Sequence, residues 1–340
     1  MLAGPVTGGV PAGAPFLFGE IDGVVWVPKP FLTYEQQIQK LRDKHLVIPD
    51  EAEAKEKLRL IGYFALITGY KSLFKNPTTK NYRDGTTFQD IVALYEFDAQ
   101  LRELTLHHLL HIERHIRSAL SYAFCQKYGE QQAAYLAPNN YDLYPKNHTD
   151  QVDKLITHYL KPLLDKRTEH LYIEHYKQQH KNVPLWVLIN ALTFGTVSKM
   201  YQYSTSDIQA SISKEFDGIK EGQLRKILQV LTDVRNVCAH NERLFFFRCA
   251  QHEIPNLPLH RKLNIPMRGT QYLYGKRDFF AVLLAFRYLL SDQEFVAYER
   301  QVSRLIQKAV TVNHQIREPE LLELMGFPGN WKQITTLDKT

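Results

Sequence analysis

Cysteine is scarce in this sequence. Cys125, Cys238 and Cys249 are the whole supply, an odd number with no Cys-x-x-Cys pair, which argues against a disulfide framework and a zinc knuckle and fits a reducing cytosol. Long apolar runs are missing as well. The strongest, residues 279–290, is interrupted by Arg287 and falls short of the roughly 20 residues that a bilayer span needs, so no membrane segment is expected. Residues 1–19 have no basic start and carry Gly and Pro throughout, which excludes the apolar helix of a signal peptide; residues 1–28 are expected to form a flexible arm. No β-run of convincing length and no internal repeat is found.

What remains is helical. The chain has 340 residues with 44% apolar side chains, enough for a real core. Lys and Arg number 42 against 36 Asp and Glu, a formal charge of +6, which leans toward a polyanionic partner without histone-like density. Fourteen His stand outside that count, and imidazoles gain charge beside phosphates.

Periodicity predicts an all-α, multi-helix bundle. Helices are expected over residues 34–45, 52–71, 88–128, 152–164, 169–179, 185–203, 223–247 and 278–310. Thr33 serves as a cap, Pro184 as a first-turn residue and Gly129 as a terminator. The turn-rich stretches 75–87, 137–146 and 254–274 read as loops, the first and last of them basic. In the 223–247 segment Leu224, Ile227, Leu228, Leu231, Val234 and Cys238 fall within a face of about 120°.

Arg235 lies inside that stripe, with Asn236 and His240 four apart on the other side. A desolvated guanidinium needs a carboxylate or a phosphate, and Glu113 on the earlier long helix is the expected partner. Five residues of regular helix turn through about 500°, so Arg235 and His240 diverge by about 140°. Three routes bring them to one phosphate: the helix ends or kinks before His240, the Arg side chain bends round, or two copies meet across a homodimer. The dimer is the favoured route. Such a cleft supports RNA cleavage without metal, His240 taking the ribose 2′-OH proton, Arg235 stabilising phosphate charge and Asn236 orienting either group.

Other cations form a wider expected RNA surface: Lys71, Lys75, Lys80, Arg83, Arg102, Arg117, Arg243, Arg261, Lys262 and Arg268. The segments 71–83 and 260–277 interleave Tyr and Phe with these cations, a pattern that holds single strands by phosphate contact and stacking. Arg102, Glu113 and Arg117 also have a plain explanation in helix-surface pairing, Glu113 and Arg117 being four apart, and for these three the structural role is the favoured reading. His107, His111 and His115 form a row along one helical face. No Cys or Asp joins them at ligand spacing, so they read as a solvated or RNA-facing row, and neither metal nor cofactor is expected.

The blocks Lys29-Pro-Phe-Leu-Thr33, Leu94-Tyr-Glu-Phe-Asp98 with Leu101-Arg102, Ile112-Glu-Arg-His-Ile-Arg117-Ser118, Pro184-Leu-Trp186, Phe194-Gly195 and Arg235-Asn-Val-Cys-Ala-His240 with Arg243-Leu244 occur in that order. Together they resemble the Abi-type (Abi-2 or Abi-D/F) abortive infection proteins, whose hallmark is an Arg-Asn-x-x-Ala-His form of the HEPN ribonuclease motif. The chain departs from the group at Phe245-Phe246-Phe247, where relatives show Trp-Asn. The resemblance implies a HEPN homodimer in the bacterial cytoplasm, phage defence or toxin activity, kinship with the RNases of type VI CRISPR effectors, and RNA as substrate or as a noncoding regulator. It implies a HEPN-like core over residues 88–250, preceded by a helical region at 29–87 and followed by a basic loop and C-terminal helices at 251–340. Two rivals stand beside the nuclease: a non-catalytic RNA-holding protein, and a protein-interaction domain whose core merely dimerises.

Overall fold

Local capping signals set where the helices begin in the computed structural model, which describes residues 30–340; the expected arm at residues 1–28 lies outside the described residues. Thr33 and Asp50 accept amide hydrogen bonds in the first turns of α1 (Tyr34–Arg42) and α2 (Glu51–Ile61). Gly62, at φ +86°, then stops α2. The single helix expected over 52–71 is therefore broken, because a residue in this region of φ leaves the helical path; a π turn (Phe64–Thr68) and a 3₁₀ turn (Lys71–Phe74) follow it.

The spine is α3 (Phe88–Tyr128), 41 residues long and so about 60 Å from end to end. Thr87 and Asp90 form a reciprocal capping box at its start, and Gly129, φ +86°, ends it. These are the boundaries expected from the sequence. α4 (Gln132–Leu136), α5 (Asn147–Lys154), α6 (Lys161–Asp165) and α7 (Leu171–His180) are short, α5 and α6 being joined by a π turn over Leu155–Leu160.

Residues 185–203 do not form one helix. α8 (Leu185–Leu188) runs into a 3₁₀ turn, Leu192 is extended, and Thr193 restarts the chain as the N-cap of α9 (Phe194–Tyr203). The break falls at a capping Thr ahead of Gly195. A methyl on Gly195 would press to 3.3 Å from Thr232 Cγ2, so the glycine lets α9 lie close against the helix carrying Thr232. That helix is α11 (Glu221–Ala239), reached through α10 (Ser206–Ser213). α11 packs against α3, α9 and α10, and all six residues of its expected apolar stripe are buried.

The segment expected to be a basic loop holds α12 (Pro258–Lys262) and a two-residue antiparallel ribbon, β1 (Met267–Arg268) with β2 (Gln271–Tyr272), in register Met267 to Tyr272. His260 folds it inward. Its ring is fully buried, with Nε2 2.8 Å from the Gly275 carbonyl, and burial pushes its pKa down to about 4, so it is a neutral structural imidazole. The stretch expected to be helical over 278–310 divides at Ser291, which caps α14 (Asp292–Val312) after α13 (Phe279–Leu289) has ended. Every residue of α13 is buried. Its one charge, Arg287, is met by Asp292 at 2.5 Å and by the Ile334 carbonyl at 3.1 Å. α15 (Glu318–Met325) follows and packs on α14.

The fold is thus all-α. One hydrophobic cluster runs from Ile38 to Ile334, with α3 and α14 side by side and α13 against α11 and α14. No helix among the described residues is long and apolar enough to cross a membrane.

Gly326 makes a sharp test of this packing. It ends α15 at φ +81°, and a Cβ there would overlap the carboxyl group of Asp278, which itself caps α13 through the Ala281 amide. Gly326→Ala combines left-handed strain with overpacking and is expected to cost about 3 kcal/mol, read as a lowered melting temperature. An unchanged melt would mean that Asp278 can leave its cap without cost.

Candidate functional site

The helix that carries the Arg235–His240 motif ends inside it. His240 is the C-cap of α11, and Asn241 follows at φ +55°. The Glu242 amide donates to the Val237 carbonyl (3.0 Å) and the Asn241 amide to the Cys238 carbonyl (3.5 Å). This is a Schellman arrangement, with Asn in the left-handed position that Gly more often takes. The expected continuation to residue 247 is therefore cut short at Ala239. The His240 amide still donates to the Asn236 carbonyl at 2.9 Å, so the cap keeps helical register and the divergence between Arg235 and His240 survives the helix end.

Past the turn, the chain is held by α3. Asp98, fully buried, accepts from Tyr70 Oη (2.6 Å), Arg102 Nη1 (2.7 Å) and the amides of Leu244 (3.1 Å) and Phe245 (2.7 Å). Arg102 also reaches the Glu242 carbonyl at 3.3 Å. Burial pushes the Asp98 carboxyl above its ordinary range, opposed by Tyr70, Arg102 and the two amides. A buried ion pair four residues apart on one helix thus fixes the backbone just beyond the motif.

This places His240 on a cleft of about 660 Å³, lined also by Phe64, Tyr70, Tyr95, Arg243, Phe246 and Arg248. Arg243 donates to the Gly69 carbonyl at 2.8 Å, and the Arg248 guanidinium lies 5.2 Å from the Phe246 ring centre. Phe64 is 80% exposed and Phe246 44% exposed, so two apolar rings face solvent in this cleft. Arg235 does not line this cleft. It is half-buried, and its Nε is shielded from solvent without a hydrogen-bond partner. Asn236 is exposed.

A family model described as "Abi-like protein" matches residues 56–246. The chain belongs to the Abi-like family. No curated protein and no solved structure matches it.

Several residues expected to act in this Abi-like protein are placed elsewhere. Glu113 does not pair with Arg235. It binds Arg117, one turn along α3, a neighbour already held by the same helix. Glu113 Oε2 and Arg235 Nε, which the expected pair would have joined, are both buried and unsatisfied. Arg117 also donates to the carbonyls of Ile189 and Leu192, closing the break before α9. Arg102 and Arg117 are therefore turned inward as structural groups, the role favoured for them from sequence over membership of an RNA surface.

The other cations lie nearer the surface. Lys75 is over the Tyr82 ring, and its amine is held below its ordinary range by burial and then by Lys44, Lys71 and Lys80. Lys44, unremarked in the sequence, thus belongs to the same basic patch as Lys71, Lys75 and Lys80. Arg83 meets Glu320 at 3.4 Å, and Lys262 donates to the carbonyls of Asp338 and Thr340. Arg261 and Arg268 are exposed. In the His row, His111 faces Glu294 at 3.4 Å and His115 faces Glu215 at 2.6 Å.

Sequence reasoning quoted Asp98 without giving it a task and missed Asn241, Phe246 and Arg248. The Asn241 signal was available, since Asn is a regular substitute for Gly after a helix. The Asp98 clamp was not, because its amide partners lie about 146 residues away in sequence. Removing the charge by Asp98→Asn leaves Arg102 buried without a counter-ion, a change expected to cost about 3–5 kcal/mol. Amide exchange at Leu244 and Phe245 should quicken with it; unaltered exchange there would show that the clamp is dispensable.

Proposed function

We propose that this Abi-like protein is a metal-independent endoribonuclease of HEPN type, acting in abortive infection as a homodimer. The observation that carries the reading is the placement of His240, put by a helix end on the wall of a cleft lined by cations and exposed aromatic rings. Phe64, Phe246, Arg243 and Arg248 suit a single strand, whose bases stack on rings while its phosphates meet guanidinium groups.

In this reading the His240 imidazole takes the ribose 2′-OH proton, and the freed oxygen attacks the adjacent phosphorus. A second imidazole, His240 of the other copy, protonates the departing 5′-oxygen. Arg235 stabilises the charge on the non-bridging oxygens, by about 3–4 kcal/mol on the scale of one oxyanion-hole donor. Its unpartnered Nε and its separation from its own chain's cleft fit a guanidinium completed by a second copy or by a phosphate. The products are a 2′,3′-cyclic phosphate and a 5′-hydroxyl, and DNA is spared because it lacks the nucleophile.

The patch of Lys44, Lys71, Lys75 and Lys80 favours a second reading, in which the protein holds a noncoding RNA, as regulator or as sole ligand. Labelled single-stranded RNA incubated with the full chain in magnesium-free buffer separates the two. The nuclease yields cyclic-phosphate ends, leaves the 2′-deoxy strand intact, and slows by about 10²–10⁴-fold in His240→Ala. RNA that is bound but uncut by wild type, after removal of any co-purifying RNA, would sink the nuclease and leave the holding function.

A further inference from the structure

Just beyond the cleft, three side chains of different chemistry converge. Asp233 lies on α11 seven residues before His240, while Cys249 and His252 follow the clamped segment in a Cys-x-x-His spacing. Asp233 Oδ2 is 3.0 Å from Cys249 Sγ and 2.8 Å from His252 Nδ1. The three donor atoms all lie within 4.8 Å of one another. The His252 amide also donates to Cys249 Sγ at 3.3 Å, and an N–H aimed at sulfur in this way steadies a thiolate.

We propose that Asp233, Cys249 and His252 form a zinc site that ties the motif helix to the chain beyond the cleft. The donor set of one thiolate, one imidazole and one carboxylate suits zinc and not magnesium or calcium, which take oxygen alone. Tetrahedral zinc, with bonds of about 2.3 Å to sulfur and about 2.0 Å to nitrogen and oxygen, needs donor separations of about 3.3–3.5 Å. The carboxylate must therefore withdraw from its two neighbours by about half an ångström. Asp233 and His252 side chains are 35% and 33% exposed, so their rim opens to solvent. Water completes the fourth position and the ion has a path in, whereas Cys249 is buried beneath.

Binding exchanges two hydrogen bonds for three metal bonds. The Cys249 thiol, whose proton now points to Asp233, loses that proton to buffer as the zinc–sulfur bond forms. The His252 Nδ1 proton, which also points to Asp233, is likewise released to buffer as the zinc–nitrogen bond forms, and the ligated neutral imidazole carries its one proton on Nε2. No electrons are transferred. The ion sits outside the cleft lining and takes no part in RNA chemistry, so the site stands or falls independently of the proposed nuclease. Asp233 lies within the family-matched stretch, whereas Cys249 and His252 lie past residue 246, where that match ends. What zinc would do there is mechanical. Residues 240–248, which carry His240, Arg243, Phe246 and Arg248, would be closed into a loop by the metal at one side and by Asp98 at the other.

The test uses the untagged full chain, reduced, stripped of metal and titrated with cobalt(II). The expected result is a thiolate-to-cobalt charge-transfer band and a tetrahedral d–d spectrum that saturate at one cobalt per chain and vanish on adding zinc. One equivalent of zinc should raise the melting temperature. Cys249→Ser, which preserves size and hydrogen bonding, should abolish the charge-transfer band, and His252→Gln should weaken zinc binding at least 10-fold. A wild-type titration without the band overturns the proposal, and so does a full band in Cys249→Ser. If the variants fail to fold, the wild-type cobalt stoichiometry decides alone.

Discussion

A carboxylate with no access to water organises the region around the motif. Asp98 lies three turns into α3, faces the core and gathers Tyr70, Arg102 and two backbone amides from the far side of the Arg235–His240 turn. Burying an ion pair is expensive, and removing either partner more so, which makes the arrangement close to all-or-none. The energetic return is positional. The chain that reverses at Asn241 is caught at once, and the direction of His240 into the cleft is set jointly by the end of α11 and the anchoring of Leu244 and Phe245 to α3. Arg102 completes the grip through the Glu242 carbonyl.

The same logic recurs at the other interior charges. Arg117 satisfies carbonyls exposed by the interruption before α9, and Arg287 does so for the C-terminal turn after Trp331. In each case a guanidinium, with its several rigidly spaced donors, takes up backbone acceptors where a helix has stopped. Cations in this protein thus divide by depth. Arg117 and Arg287, inside, close helix ends, whereas Lys44, Lys71 and Lys80 gather about Lys75 nearer the surface.

Legibility from sequence followed the range of the interactions. α3 was readable to the residue because its cap, its stripe and its terminal Gly129 are all local. The stripe of α11 was equally plain. Failures came in two kinds. Breaks at Gly62, at Leu192–Thr193 and at Asn241 were passed over because apolar periodicity continues across them, although each bears a recognised terminator or cap. A structural role for Arg102, Arg117 and Glu113, with Glu113 paired to Arg117, was the favoured sequence reading, but the carbonyls that the two arginines bind were missed for a different reason. Charge in a helix looks alike in sequence whether it faces water or carbonyls, and the deciding neighbours are roughly 70 to 150 residues distant. The convergence of Asp233 with Cys249 and His252 was hidden in the same way, since Cys-x-x-His alone draws little notice and its third member lies on the preceding helix.

α13 carries a consequence for how the chain comes to be folded at all. Its eleven residues are all buried, and they lie against α11 and α14, which in turn covers α3. A ribosome that has reached residue 246 has synthesised the whole family-matched stretch yet none of this lining. At that moment α8, α9 and α10 already lie against α3 or α11, but the side of α3 that meets α14 and the side of α11 that meets α13 are still without cover. The family-matched stretch and the C-terminal helices therefore share one hydrophobic core, and the cover of the first is completed only by the second.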